Sequence, residues 1–142
     1  MPHATELSIG QVAEQVGLSV HTLRFYEREG ILVHPVNRSS TGHRMYRESD
    51  VEWLRICVNL RASGMPLPGI RRYGELVRQG RGTEVARLDL LRQHRERVKE
   101  RMAELQACLD TIDFKVNYYE SHVAQGTAHE LWTGEPPTCD AA

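Results

Sequence analysis

The sequence predicts a mostly α fold: a winged helix-turn-helix head, followed by a helical pair and a long dimerising coiled-coil helix. Three observations support this fold class. Two short helical segments flank a glycine turn, a polar hairpin follows them, and residues 83–122 contain neither glycine nor proline. The chain of 142 residues suffices for one small domain with an appendage. We therefore predict a head domain over residues 1–80, a dimerisation helix over 81–125 and a flexible tail over 126–142.

The predicted helix-turn-helix begins at Ser8. Ser8 and Gln11 form a capping-box pattern, in which each side chain bonds the backbone N–H of the other residue, and apolar residues then recur at helical spacing. Gly17 suits the position after the first helix, and Ser19 can cap the second helix. We expect the second helix to cover about residues 20–29.

A polar hairpin is predicted over residues 35–47, because a turn-rich tetrapeptide separates two short segments there. Ser49 or Asp50 then caps a third helix, which stops at Gly64. A fourth helix over about residues 67–79 begins next to two prolines, which a first helical turn tolerates. These elements complete the predicted head and its helical pair.

The long helix carries a heptad seam. From Val98 to Val123 the apolar residues are separated by alternating steps of four and three, as are the a and d positions of a coiled coil. This helix, roughly 60 Å long, has no second long helical segment in the chain to pack against, so a partner subunit is favoured over an intramolecular hairpin. The residues predicted to form the dimer interface are Val98, Met102, Leu105, Leu109, Ile112 and Val116.

Composition excludes several classes of protein. Hydrophobic residues make up 40% and charged residues 26% of the chain, which is typical of a globular protein and not of a disordered one. The sequence shows no signal-peptide pattern and no apolar run long enough to span a bilayer. Three widely spaced cysteines argue against a disulfide framework. We therefore expect a cytoplasmic protein without a membrane partner.

The formal net charge of −1 hides an uneven distribution. A near-neutral average argues against a nucleic-acid partner, for which a basic domain is usual. Residues 34–47, however, carry three arginines and no acidic residue, whereas residues 126–142 carry three acidic residues and no basic one. Because the positive charge is concentrated in the predicted hairpin, the objection based on net charge loses its force.

The second helix and the hairpin carry side chains suited to double-stranded DNA. Arginine reads guanine edges or holds phosphates, and hydroxyl, imidazole and phenol groups bond phosphates or bases. The alternative for each residue is a solvated helix face or an ordinary polar turn. The candidate DNA contacts are His21, Thr22, Arg24 and Tyr26 on the helix and Arg38, His43, Arg44 and Tyr46 in the hairpin.

A set of short segments spread over about residues 8–78 forms a specific combination. These segments are Ile9-Gly10-Gln11-Val12-Ala13, Gly17-Leu18-Ser19, residues 22–32, Arg38, Gly42-His43-Arg44-Met45-Tyr46 and Asp50-Val51. Together they resemble the MerR family of bacterial transcription regulators. The resemblance implies a homodimer, joined by an antiparallel coiled coil, that binds a palindromic operator in a promoter with an overlong spacer. It also implies that the effector-bound dimer kinks and undertwists the DNA, which realigns the promoter for RNA polymerase.

The effector is less well determined by the sequence. The chain lacks the paired or grouped cysteines of members that sense metals or carry iron–sulfur clusters, so neither a metal nor a cofactor is predicted. The chain resembles the short, thiol-based members that respond to aldehydes or other electrophiles, which implies such an effector; the candidate sensors are Cys57 and Cys108. In one alternative, Cys57 is a buried packing thiol. In another, a small apolar effector binds aromatic residues such as Trp53, Tyr73 and Phe114.

Two further function classes remain open alongside the regulator. An excisionase-like architectural protein would share the winged head and bend DNA without an effector, but it has no need of a long heptad helix. A protein adaptor would use the coiled coil alone and would show no salt-sensitive DNA binding. The sequence contains no catalytic constellation and no glycine-rich phosphate loop, so we do not expect an enzyme.

Overall fold

A computed structural model describes residues 6–131 and confirms the mostly helical fold. The helices are α1 (Ile9–Val16), α2 (Val20–Arg28), α3 (Glu48–Ala62), α4 (Leu67–Gln79) and α5 (Glu84–Gln125), and the strands are β1 (Leu7–Ser8), β2 (Asn37–Arg38) and β3 (Arg44–Tyr46). Among the described residues, no helix combines the length and the apolar character needed to cross a membrane.

Helices α1 and α2 form the predicted helix-turn-helix. The capping box is confirmed, because Ser8 Oγ accepts from the Gln11 N–H at 3.2 Å and Gln11 Oε1 accepts from the Ser8 N–H at 2.8 Å. Gly17 ends α1 with a φ of 72°, in the left-handed region that favours glycine. Ser19 caps α2 and accepts from the Thr22 N–H at 3.1 Å. Helix α2 ends at the residue before the predicted one.

The hairpin is confirmed and forms part of a small antiparallel sheet. Strand β3 lies in the centre, between β1 and β2. Arg38 lies opposite Arg44 in the hairpin, and Leu7 lies opposite Tyr46 in the other strand pair. The sequence pattern did not predict β1, because a strand of two residues is too short to show alternation.

The start of α3 differs from the prediction. The helix begins at Glu48 and its N-cap residue is Arg47, so the prediction of Ser49 or Asp50 as the cap is wrong. Asp50 instead lies in the first turn, where its carboxylate accepts the N–H of Arg47 at 2.8 Å. Aspartate is common both as an N-cap residue and in the first helical turn, where its carboxylate accepts the backbone N–H of the cap residue. The sequence alone therefore does not distinguish the two positions.

The core of the head lies between the helices and the sheet. Leu54 and Ile70 are fully buried in it. The Trp53 indole N–H donates to the carbonyl oxygen of Ile31 at 2.9 Å, which joins α3 to the segment after α2. A Cβ at Gly74 would lie 3.3 Å from that same carbonyl oxygen and 3.3 Å from the Trp53 ring. Glycine therefore permits the close approach of α4 to this segment.

The chain divides into two compact units, of which the first reaches Val98 and the second begins at Lys99. The first turns of α5 belong to the first unit, because Leu90 and Leu91 pack against the core and His94 is buried. The first unit therefore contains α4, the loop after it and the first turns of α5.

The second unit contains the rest of α5 and a short 3₁₀ turn, Ala128–Glu130. Helix α5 ends in a Schellman motif, in which Gly126 has a φ of 75° and the Thr127 N–H donates to the His122 carbonyl oxygen at 2.9 Å. The predicted tail begins here, and its residues 132–142 lie outside the described part of the chain.

Candidate nucleic-acid interface

The solvent face of α2 carries basic side chains. Leu23 and Tyr26 turn into the core, with 1% and 5% of their surface exposed. Helical spacing then places His21, Arg24 and Arg28 on the exposed side. Of the four predicted helix residues, His21 and Arg24 are thus exposed and Thr22 is half-buried. Arg28 joins them, although the sequence reasoning did not select it.

Thr22 is tied into the start of α2. Its hydroxyl lies 2.9 Å from Ser19 Oγ, and its N–H also donates to that oxygen. The first turn of α2 contains no acidic residue. No carboxylate of this turn therefore competes for the positive N-terminal end of the α2 dipole. Such a helix N-terminus suits an anion such as a phosphate.

The turn of the hairpin is held in shape by its own hydrogen bonds. The Ser39 N–H donates to the His43 carbonyl oxygen at 2.8 Å, and the Gly42 N–H donates to the Ser39 carbonyl oxygen at 2.9 Å. Arg38 Nη1 donates to the Gly42 carbonyl oxygen at 3.1 Å, and the hydroxyls of Ser39 and Thr41 are 2.9 Å apart. The hairpin therefore presents exposed basic and hydroxyl side chains on a preformed turn.

Arg44 joins the hairpin to α2. Its Nε donates to a carboxylate oxygen of Glu27, and the two side chains are only 23% and 26% exposed. This ion pair fixes the hairpin relative to the helix, so the two predicted DNA-contacting elements form one surface. The sequence predicts Arg44 as a contact but not Glu27, because the two residues lie 17 positions apart and share no local pairing signal.

Tyr26 and Tyr46 are not part of this surface. Both were predicted as DNA contacts, but the structure places them in the core, 5% and 0% exposed. Burial raises the pKa of both phenols above its ordinary value, because their ionised form would lose its hydration. We therefore correct the predicted set by assigning both rings to packing.

Two arginines of α4 brace the end of α2, and the sequence reasoning missed them. Arg71 donates from Nε to the Glu29 carbonyl oxygen at 2.8 Å and from Nη2 to the Glu29 carboxylate at 2.6 Å. Arg78 Nη1 donates to the carbonyl oxygens of Gly30 and Leu32 at 3.1 and 2.7 Å. Their spacing of seven residues places both on one helix face, but backbone acceptors leave no mark in a sequence.

The two candidate sensor cysteines lie in opposite environments. Cys57 is fully buried in the core, and burial raises the pKa of its thiol to about 12. Since the thiolate is the reactive form, this environment supports the packing alternative. Cys108 is exposed on α5. Within residues 6–131, no group of three or more histidine, cysteine or acidic residues is arranged to hold a metal ion.

Comparisons with known families show the family to which the chain belongs. Residues 7–75 match the profile described as MerR HTH family regulatory protein, and residues 51–113 match the one described as MerR, DNA binding. The chain belongs to the MerR family. The two profiles together span the head, the hairpin and much of α5.

Individual relatives support the same assignment. The chain is 36% identical over 117 residues to an HTH-type transcriptional regulator of Haemophilus influenzae, covering 82% of this chain and 86% of that protein. It resembles the crystal structure of a MerR family transcriptional regulator from Listeria monocytogenes, with a TM-score of 0.79, 32% identity and coverage of 87% and 92%.

A third relative was crystallised on DNA. HiNmlR is described as a MerR family regulator lacking the sensor domain, bound to promoter DNA. The likeness has a TM-score of 0.78 and 33% identity over 89% of this chain and 100% of that one. The present protein is a MerR-type DNA-binding transcriptional regulator.

Proposed function

We propose that this MerR regulator acts as a homodimer on a palindromic operator, inside a promoter whose spacer is overlong. The observation that carries the proposal is the likeness to a family member bound to promoter DNA, which this chain matches over that protein's whole length. The DNA contacts are proposed to come from His21, Thr22, Arg24, Arg38, His43 and Arg44, together with Arg28.

The exposed seam of α5 supports the homodimer. Leu105, Leu109 and Ile112 are 62%, 47% and 56% exposed in the single chain. Full burial of a wholly exposed side chain of this size is worth about 1.5–3 kcal/mol, so part of that energy is available for each of these half-exposed residues. A second copy that covers the seam recovers this energy and joins two DNA-binding heads. Two heads related by a two-fold axis match the symmetry of a palindromic operator.

Distortion of the DNA is the proposed mechanism of control. Phosphate contacts from both heads supply the energy that bends and undertwists the intervening base pairs. The preformed turn at Gly42 and the Arg44–Glu27 ion pair favour bending of the DNA. A rigid protein surface holds the phosphates in the bent geometry without changing its own shape. The realigned promoter elements then become accessible to RNA polymerase, and the undistorted complex represses.

An aldehyde, another electrophile or a small apolar molecule is the proposed effector. Buried Cys57 is poorly placed to react, so exposed Cys108 is the better thiol candidate of the two. The relative on promoter DNA is described as lacking the sensor domain. That likeness favours a regulator in which the effector acts on residues of the head and of α5.

In vitro transcription from the promoter of the protein's own gene tests this proposal. One template keeps the natural spacer and a matched template has a shortened one, and each is transcribed with candidate aldehydes, oxidants and metals. We expect the protein to stimulate the natural template in the presence of an effector and the shortened template to need no protein. Equal transcription with and without protein on the natural template contradicts the proposal. Bending of the DNA without any effect on transcription would favour the architectural alternative.

A further inference from the structure

A cavity of about 380 Å³ lies in the first unit, between the loop that joins α3 to α4 and the first turns of α5. Its lining is mainly apolar and includes Met65, Pro66, Pro68 and Leu90, and the one charged side chain in the lining is Arg97. We call it the Arg97 cavity. Small-molecule pockets have volumes of roughly 300–1,000 Å³ and are mainly apolar with a few polar groups, so this cavity has the size and character of a ligand site.

The walls of the Arg97 cavity are held in place by the protein itself. His94 Nε2 lies 2.8 Å from Ser63 Oγ, and this contact joins α5 to the end of α3. Met65 is only 1% exposed, and its N–H donates to the Leu60 carbonyl oxygen at 2.9 Å. The two prolines of the lining have fixed φ angles, which limits the motion of the loop. A preformed cavity of this kind loses little conformational entropy when a ligand enters it.

Arg97 places an unpaired positive charge at the cavity. Among residues 6–131 it forms no ion pair, whereas Arg95 pairs with Glu96 at 3.6 Å. Burial lowers the pKa of His94 and the Arg97 charge lowers it further, which places the guanidinium near that ring. A guanidinium binds a carboxylate well, because it can donate two parallel hydrogen bonds to it.

We propose that the Arg97 cavity binds a small carboxylate with an apolar body, and that such a ligand is an effector of this regulator. The apolar body lies against Met65 and Leu90, and the carboxylate accepts from Arg97. A single cation in a mainly apolar lining matches one negative charge, since further buried charge without a partner would be costly. The ligand bridges the loop and α5. The inference deepens the proposed effector response and rests on that proposed function for its role in control, but binding is measured without DNA.

Titration of the full chain with phenylbutyrate tests the site, and phenylbutanol serves as an uncharged probe of similar size. Calorimetry gives the affinities, and NMR follows the methionine methyl signals. We expect phenylbutyrate to bind one site per chain, to shift the Met65 methyl signal and to bind about tenfold more tightly than phenylbutanol. No binding, as when a second copy covers the cavity, or equal binding of the two probes, overturns the proposal.

Two variants and one matched control locate the ligand. Arg97→Gln should weaken phenylbutyrate binding about tenfold and leave phenylbutanol binding unchanged. Pro68→Glu places a carboxylate on the wall in the first turn of α4, where the helix dipole favours an acid, and should also weaken phenylbutyrate binding. Arg95→Gln is the control, because Arg95 lies on α5 outside the lining. Unchanged phenylbutyrate affinity in Arg97→Gln, or an equal loss in Arg95→Gln, overturns the proposal.

Operator affinity separates the site from its role in control. Saturating phenylbutyrate should change the affinity of the unsubstituted protein for its own promoter by about fivefold, and the same concentration should have no such effect on Arg97→Gln. Bound phenylbutyrate that leaves operator affinity unchanged overturns the effector role. Absence of promoter binding with and without phenylbutyrate would instead contradict the proposed function.

Discussion

The two units of the chain differ in where their apolar side chains lie. In the first unit, Leu23, Leu54 and Ile70 are at most 1% exposed, and each is covered by other elements of the same chain. In the second unit, the seam from Met102 to Val123 is 43–67% exposed. The apolar side chains of the first unit pack against other residues of the same chain, whereas those of the seam in the second unit are left exposed. The proposed second copy accounts for this difference.

Hydrogen bonds between residues far apart in sequence occur in the first unit. The Trp53 indole N–H donates to the Ile31 carbonyl oxygen at 2.9 Å, although Tyr46 Oη, Arg87 Nε and His94 Nδ1 are buried without a hydrogen-bond partner among the described residues. The exposed helix of the second unit has few such contacts, and an isolated helix of this kind is marginal in water. The first unit therefore should not depend on protein concentration for its stability, and the second unit should.

The largest expected effect comes from a charge in the seam. Leu109→Glu should abolish the dimer and weaken operator binding by about 100-fold, because each head then binds alone. Ala107→Glu is the matched control, since residue 107 lies off the seam and should keep both properties. Sedimentation and fluorescence anisotropy measure the two effects. A dimeric Leu109→Glu protein would contradict the role of the seam.

Removal of a core side chain should break the first unit instead. Leu54→Ala should lower the free energy of unfolding by about 3 kcal/mol, as for other fully buried leucines. Urea unfolding at several protein concentrations distinguishes the units. The effect of Leu54→Ala should not change with concentration, whereas that of Leu105→Ala should shrink on dilution, because a dissociated chain no longer gains stability from the seam. The same concentration dependence for both variants would contradict the comparison.

A smaller effect is expected at the hairpin. Arg44→Ala should weaken operator binding by about tenfold, or about 1.4 kcal/mol, and should leave the fold intact because a partly exposed ion pair adds little stability. Glu27→Gln breaks the same ion pair but keeps the arginine. Loss of affinity in both variants would assign Arg44 a positioning role, and loss in Arg44→Ala alone a direct contact. Unchanged affinity of Arg44→Ala would remove the hairpin from the interface.

The smallest effect concerns pH. Burial, aided by the Arg97 charge, lowers the pKa of His94, whose Nε2 lies 2.8 Å from Ser63 Oγ. A lowered histidine pKa gives stability that is present above the ordinary value and is lost as pH falls through the folded value. The unfolding free energy should therefore drop as pH falls below the ordinary histidine pKa of about 6.5, and less so in His94→Gln. Identical pH profiles would contradict this assignment.

Much of the fold could be predicted because it depends on local signals. The Ser8 capping box, the glycine at residue 17 and the heptad of α5 each act within a few residues, and each predicted element is present. The start of α3 was misplaced because Ser49, Asp50 and Arg47 compete for one cap within four residues.

The candidate interface was only partly predictable. Helical spacing identified Arg24 as exposed, but the same chemistry made Tyr26 and Tyr46 look like DNA contacts, although tertiary packing buries both. The bracing bonds of Arg71 and Arg78 join residues more than forty positions from their acceptors. Such contacts arise from the assembled fold and have no local pattern.

The most direct test of the central claim is the stoichiometry of the protein on its own promoter duplex, measured by native mass spectrometry across a titration. We predict that two chains bind each duplex from the lowest protein concentration and that a complex with one chain does not accumulate. A dominant complex of one chain per duplex, or no complex that survives competitor DNA, would contradict a two-headed regulator held together by α5.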